Sequence, residues 1–340
     1  MSAPTIKTIA KAANVSTATV SKVLNDMPDI SQATKARVRN VCKELGYVPN
    51  AHARRLSLGR NNTIGVILAD ITDPLNSGIY KALCERMYRY DFALYLSSSG
   101  GSAEMELNYV QAMMQNGVAA LIVLPVSADV SHIQAAVGDM VPVIYLSGKA
   151  DPARGHYVAN NDYSGAQLAA QHLHALGHRH IDMFAYSPVT PKRNERIQGY
   201  SDFMRQHGLK PNVLMEPYRG DLAHLGKNLA RRVLTQSRMP TAVFACNDLV
   251  AIGAMAAFRT AGVRVPEDIS VVGFEDIPAS ELPLISLTSV RQPGTELGIC
   301  AADMAAQLAA GRTDIVTQLV LEPHLVVRTS TAHLLGHEGR

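Results

Sequence analysis

TIKTIAKAANVSTATVSKVLN, residues 5–25, puts Ile6, Ile9, Ala10 and Ala13 on one face of a helix over residues 6–13. The helix breaks at Asn14, a residue that tolerates the left-handed backbone of a helix exit. Ser16 then caps a second helix over 17–25, with Val20, Val23 and Leu24 facing inward and Thr17, Ala18, Ser21 and Lys22 left outside. Two helices separated by about three residues form a helix-turn-helix. Ser31 caps a third helix over 32–45, which adds Val38, Val41 and Leu45 to the same small core and stops at Gly46.

Beyond Gly46 come YVPN (47–50), an Ala/Arg/Leu segment (51–58) and GRNN (59–62). Pro49 and Gly59 limit any helix here to about two turns, a length marginal in water without a partner, so residues 47–61 read as a hinge that folds on contact. From Thr63 onward apolar β-type runs alternate with amphipathic helices: TIGVILA, a helix near 75–90, FALYLS, a helix near 103–116, AALIVLP and VPVIYL. The rhythm resumes with helices near 162–176, 192–207, 222–236 and 248–261 around HIDMFA, TAVFA and ISVVGF. Two such blocks predict an α/β protein with two doubly wound, parallel-sheet subdomains and a crevice between them. Strand-like pieces near 286–291 and 317–328, flanking a helix near 294–310, predict that the chain crosses back between the blocks. The expected division is a headpiece over 1–46, a hinge over 47–61, an N-subdomain over 62–161 with about 293–321, a C-subdomain over 162–292 with about 322–331, and a tail over 332–340.

Ten of the 32 Lys/Arg but only three of the 29 acids fall in residues 1–60, an excess of seven positive charges there against four negative in the remainder. A cationic head on an anionic body is expected where one end meets a polyanion. Cys42, Cys84, Cys246 and Cys300 are scattered with neither zinc nor disulfide spacing and read as reduced core residues. Lys7 and Lys11 interrupt the only apolar stretch near the start, and no later run is long enough to span a bilayer, so a cytoplasmic protein without membrane partners is expected. An enzyme on an α/β scaffold is the opposed class, but the chain has no GxGxxG after the strand at Thr63, no P-loop and no nucleophile elbow. A periplasmic-type sugar-binding protein would share the core but needs an export signal and leaves the basic headpiece unexplained. His172, His174, His178 and His180 invite a metal reading; no acid or cysteine completes a zinc set, and none is expected.

The headpiece string, followed by GYVPNAHARRL (46–56) and TIGVILADITDP (63–74), resembles the lactose-repressor/galactose-repressor (LacI/GalR) family. The likeness continues through HLHALGHRHI (172–181), RIQGY (196–200), PTAVFACNDLVAIGA (240–254), VPEDISVVGFEDI (265–277) and PLISLTSVRQP (283–293), and so covers nearly the whole chain. It implies a periplasmic-binding-protein-like core and a ligand-responsive repressor of a carbohydrate or sugar-acid operon. Such a protein acts as a homodimer on a pseudo-palindromic double-stranded operator, with a small-molecule effector and no cofactor. Residues 329–340 hold no leucine heptad, so a tetramerising coiled coil is not expected.

Recognition helices insert their N-terminal side chains into the major groove, which singles out Thr17, Ala18 and Lys22. By resemblance Thr17 and Ala18 hold the two specificity positions, whereas Lys22 stands where many members have arginine. Thr19, Ser21 and Asn25 read as caps or phosphate contacts, because most protein–DNA hydrogen bonds go to the backbone, and Thr5 and Ser16 join the expected DNA-binding set. In the hinge, the resemblance implies minor-groove entry by paired helices, with Asn50, Ala53 and Arg54 at the DNA and Leu56 wedged between base pairs; packing of Leu56 on the core is the alternative.

Ligands of open α/β folds bind beyond the carboxyl ends of the strands, which nominates 70–76, Ser147, the 190s, Asn247, Glu275 and Gln292. The resemblance carries a pocket arginine onto Arg196, the ND motif onto Asn247 and an acid onto Glu275, with Asp73 and Gln292 also lining the pocket. Glu275 is longer than the usual aspartate, Leu75-Asn76 replaces a common Phe-Phe, and Leu222 stands where an aromatic is frequent, so fewer stacking faces are expected. Lys192, Arg193 and Arg196 near the mouth favour an anionic sugar acid or sugar phosphate, against the alternative of a solvated surface.

Overall fold

Charge and composition divide the chain near residue 62, and the computed structural model divides there too: Met1–Asn62 and Thr63–Arg340 are separate compact units. It describes residues 4–47, 61–146, 155–187 and 190–334. The hinge residues Asn50, Ala53, Arg54 and Leu56, and the pocket candidate Ser147, lie outside the described residues.

The first unit is built from α1 (Ile6–Ala12), α2 (Thr17–Leu24) and α3 (Gln32–Glu44). Each starts at a hydroxyl cap: Thr5, Ser16 and Ser31 accept hydrogen bonds from the backbone N–H of Thr8, Thr19 and Thr34. Each stops one residue short of the sequence expectation, because Ala13, Asn25 and Leu45 serve as C-terminal caps. Asn14 takes the left-handed conformation (φ 51°) expected of it. Ile9, Ala10, Ala13, Val20, Val23, Val38 and Cys42 form the core, while Leu45, expected inside, is exposed past the last full turn. Lys35 is buried and donates to the carbonyl (3.2 Å) and carboxylate (3.0 Å) of Asp26, fastening the left-handed exit of α2. Apolar periodicity carries no signal for that contact.

In the second unit, β1 (Thr63–Leu68) is buried at every position, as an all-apolar run between two helix layers must be. With β2 (Ala93–Ser98), β3 (Ala120–Val123), β4 (Val143–Leu146), β5 (His156–Asn160) and β11 (Gln318–Leu321) it forms a parallel sheet in the order β11-β5-β4-β3-β1-β2. The helices α4 (Pro74–Arg89), α5 (Ala103–Gln115), α6 (Ser131–Val137) and α11 (Gly294–Ala309) belong to this half, α4 and α11 packing on one face and α5 and α6 on the other. The other half holds β6 (Ile181–Ser187), β7 (Asn212–Pro217), β8 (Ala242–Ala245), β9 (Ser270–Glu275), β10 (Thr288–Arg291) and β12 (His324–Val326), in the order β12-β10-β9-β8-β6-β7. Its helices are α7 (Asp162–Ala175), α8 (Pro191–Gln206), α9 (Leu222–Leu234) and α10 (Asp248–Thr260). A single 3₁₀ turn, Pro278–Glu281, follows β9.

Three elements carry no clear sequence signal: α6 is two turns long, β5 begins with a histidine, and β7 is a part-exposed edge strand ending in proline. One expectation is corrected. The second sheet is not wholly parallel, since β12 pairs antiparallel with β10 where the chain returns for the last time.

The chain passes between the halves three times, after β5, β10 and β11. The crossings are tied together: Asn161 and Ser164 donate to the Glu322 carboxylate (both 2.9 Å), and the Gln292 amide donates to Asp162 (2.9 Å). Elsewhere close backbone approach fixes the packing. A Cβ on Gly226 of α9 would stand 2.1 Å from the Val250 carbonyl oxygen of α10, and one on Gly253 would stand 2.0 Å from that of Ala223.

Those reciprocal contacts predict opposite effects for two substitutions of one kind. Gly253→Ala should destabilise the core by about 1–3 kcal/mol, the usual cost of overpacking. Gly78→Ala, in α4 with no neighbour within 4 Å of the added methyl, should be neutral or stabilising by up to about 1 kcal/mol. Urea denaturation followed by circular dichroism measures both, and equal shifts would contradict the packing described.

Candidate ligand pocket and DNA-reading face

The pocket is assembled where strands of the second unit end. After β8, Asn247 caps α10: its side-chain oxygen accepts from the Leu249 N–H (2.8 Å), which leaves its amide nitrogen to donate to the Glu275 carboxyl. At the end of β9, Glu275 (φ 109°) and Asp276 (φ 53°) both lie in left-handed space, a sparsely populated conformation costing about 1–3 kcal/mol per residue that persists only where neighbours enforce it. Here they do. The buried carboxylate of Asp248 accepts from the Ile277 N–H (2.8 Å), Ser280 Oγ (2.7 Å) and Ser289 Oγ (2.6 Å). It sits so close to β9 that a Cβ on Gly273 would lie 2.1 Å from it. Asp276 is gripped from outside by Arg291 Nε and Arg328 Nη1, each at 2.6 Å. Burial pushes Asp248 up to about 6 even against these three donors.

Arg196, on α8, is buried and its guanidinium stacks on Phe274, 3.9 Å from the ring centre. Its Nε donates to Asp162 (2.7 Å), and its Nη1 donates to the Cys246 carbonyl (2.5 Å) with Glu275 at 3.4 Å. Nη2 has no hydrogen-bond partner among the described residues. Burial is the largest influence on Glu275 and raises it; the negative charge of Asp73 raises it further, Arg196 and Lys192 pull the other way, and the carboxyl rests at about 8. Asp73 faces it from the first half of the unit, where it caps α4 by accepting from Leu75 (2.9 Å) and Asn76 (3.4 Å).

Arg196, Asn247, Glu275 and Gln292 thus form one cluster, with Asp73 and Lys192 within electrostatic reach of it. Asp162, which binds both Arg196 and Gln292, is the residue that sequence reasoning missed, because the strand β5 that places it had no clear sequence signal. Two tyrosines stand near this cluster, with one ring already covered by an arginine. Arg193 lies 3.5 Å over the ring of Tyr186, Tyr186 packs against Tyr218 at 5.7 Å, and the acids Asp70, Asp73 and Asp221 help to raise the Tyr218 hydroxyl after burial. Of the histidines, His178 is committed to Thr241, Ser270 and the Ala332 carbonyl, which pins the C-terminal segment.

On the first unit, Thr17, Ala18 and Lys22 are exposed on α2, while Thr19, Ser21 and Asn25 are half-buried. Thr5 and Ser16 are committed as caps. Lys22 Nζ is held by Asp29 at 2.5 Å, and this hydrogen bond lowers the acid.

A model of the lacI family of bacterial regulatory proteins matches residues 5–50, and a periplasmic binding protein-like domain matches residues 170–331. The chain is 31% identical over 333 residues to the HTH-type transcriptional regulator DegA of Bacillus subtilis, covering 97% of this chain and 98% of that one. A structure of the lac repressor dimer bound to operator and the anti-inducer ONPF superimposes with a TM-score of 0.88 at 27% identity, covering 97% of this chain and all of that one. A complex of the transcriptional regulator CelR with cellobiose gives 0.72 at 28% identity, covering 96% and 99%.

The raised Glu275 carboxyl makes a pH prediction. A carboxyl whose folded value lies above its unfolded one contributes stability that is full below the unfolded value, near 4.5, and lost as pH rises towards about 8. Wild-type protein should therefore lose thermal stability relative to Glu275→Gln as pH is raised from about 5 to about 8, with little further divergence above that. Asp248 titrates in both proteins and cancels. A constant difference in Tm across this range would mean that Glu275 is ionised in the fold.

Proposed function

The chain belongs to the lacI family of bacterial regulatory proteins, DNA-binding transcriptional regulators and not enzymes, and from this we propose that it represses a carbohydrate-utilisation operon as a cytoplasmic homodimer. Its operator is a pseudo-palindrome read by Thr17, Ala18 and Lys22 of α2, and a small sugar bound at Arg196, Asn247 and Glu275 changes the grip on that operator.

One observation carries the ligand-responsive reading: Asp162 joins the pocket arginine to a crossing between the two halves of the core. Alternating arrangements of two lobes necessarily bend those crossings. A ligand that touches Arg196 and contacts the opposite lobe differently in the two arrangements shifts the balance between them. Support for a sugar comes from the CelR relative, whose complex holds cellobiose. The homodimer is supported by the lac repressor relative, whose operator-bound structure is a dimer. No helix among the described residues is long and apolar enough to cross a membrane.

Genomic fragments selected by the purified full-length chain at moderate salt test this reading; no preference for any fragment over bulk duplex, with or without metabolites, would end it. Lys22→Ala should relax preference at one base position in each half-site, an effect of about 1–3 kcal/mol for a direct base contact. Asp29→Ala, which only frees Lys22, should leave the preferred sequence unchanged and raise affinity slightly at low salt. Selection of operator variants by each protein measures both.

A further inference from the structure

The positive run Lys192, Arg193 and Arg196 resembles a landing site for an anion when read along the chain, but the folded geometry reverses that reading. An arginine clamps a carboxylate or phosphate with two parallel N–H groups, either Nε with Nη2 or Nη1 with Nη2. In Arg196 both combinations are blocked: Nε is given to Asp162 at 2.7 Å, and Nη1 to the Cys246 carbonyl at 2.5 Å with Glu275 nearby. Nη2 alone remains, a donor suited to a single hydroxyl or ring oxygen. The charge of Arg196 is likewise cancelled by Asp162, which is itself buried and fixed by Gln292. Arg193 lies flat on Tyr186, and Lys192 shares its field with Glu275 and Asp73. Asp162 at the arginine and Asp73 across from Glu275 thus set two negative charges against the three bases, Glu275 stays largely protonated at neutral pH, and Asp70 and Asp221 add negative charge beside Tyr218.

We infer that the pocket selects an uncharged, polyhydroxylated ligand over a sugar acid or sugar phosphate, and that Asp162 sets this choice by occupying the edge of Arg196 that an anion would need. The inference rests on the ligand site proposed above. A sugar hydroxyl both donates and accepts, so it satisfies carboxyl acceptors at Glu275 and Asp73 and the Nη2 donor together. An incoming anion would shed its water without a bidentate partner and beside acids of its own sign. Without Asp162 the side-on fork, Nε with Nη2, would be open.

Matched pairs decide it by calorimetry on the full-length chain: glucose with glucuronate, galactose with galacturonate, ribose with ribose 5-phosphate, and cellobiose with cellobionate. The expected result is that at least one uncharged member binds, and at least tenfold more tightly than its anionic partner. Asp162→Asn, or Asp162→Ser should the first variant melt early, should shrink or invert that ratio, chiefly by tightening the anion. An anion bound as tightly as its neutral partner by wild-type protein, no binding by any uncharged member, or an unchanged ratio in a folded Asp162 variant would each overturn the inference. Operator selection is measured on the same preparations without sugar. Its success alongside failed pairs removes only the ligand-class inference, whereas its failure removes the regulator reading.

Discussion

Burying the guanidinium of Arg196 is the constraint from which the rest of the core's chemistry follows. A cation taken out of water requires close counter-charge and hydrogen bonds on nearly every N–H, or it costs several kcal/mol. Asp162 supplies the charge, and Glu275, the Cys246 carbonyl and the face of Phe274 supply the remaining contacts, from three different segments in all. Each supplier must then be fixed in turn. Glu275 reaches the arginine only because β9 ends in left-handed backbone, and that backbone holds only because Asp248 grips the loop beyond it. Asp248 in turn fits only because residue 273 has no side chain.

The same carboxylate that neutralises Arg196 also takes the Gln292 amide, and this joins pocket and crossings in one hydrogen-bonded unit. Two of the three passages between the lobes meet at Asp162, and the third is fastened one residue away through Asn161 and Glu322. Interlobe motion without change at Arg196 would therefore have to leave these hydrogen bonds intact while the strands on either side move. Coupling between ligand and lobe arrangement is thus carried by named contacts rather than by distance alone.

Apolar periodicity made the two sheets and most helices legible, because one face of each helix and both faces of the central strands are buried. Helix ends shifted by a residue or two, since caps decide them and caps are satisfied by tertiary geometry as well as by residue type. The part-exposed edge strand β7 and the two-turn α6 were not legible because each buries too little for a clear apolar period, and the antiparallel direction of β12 was not, because its pairing is set by the chain's final return. Within the site, Arg196, Asn247 and Glu275 were accessible through motif likeness, whereas Asp162 was not: its role depends on a partner 34 residues away. The contact between Tyr186, in β6, and Tyr218, one residue past the end of β7, escaped notice for the same reason, because those two segments meet only in the sheet.

Charge shows most clearly why local runs mislead. In both units, basic residues that stand together in sequence are met in space by acids from elsewhere: Lys22 by Asp29, Lys35 and Arg39 by Asp26, Arg196 by Asp162. What differs is burial. The Lys22 pair is half-exposed, a kind of contact that contributes little and is weakened by salt, so a phosphate or base edge with its own charge or dipole can replace the aspartate. The pair at Arg196 is almost wholly buried, and removing its partner would strand a charge away from water. Identical ion-pair chemistry therefore leaves the helix-turn-helix free to exchange an acid for a polyanion, while it commits the pocket arginine to the protein's own carboxylates.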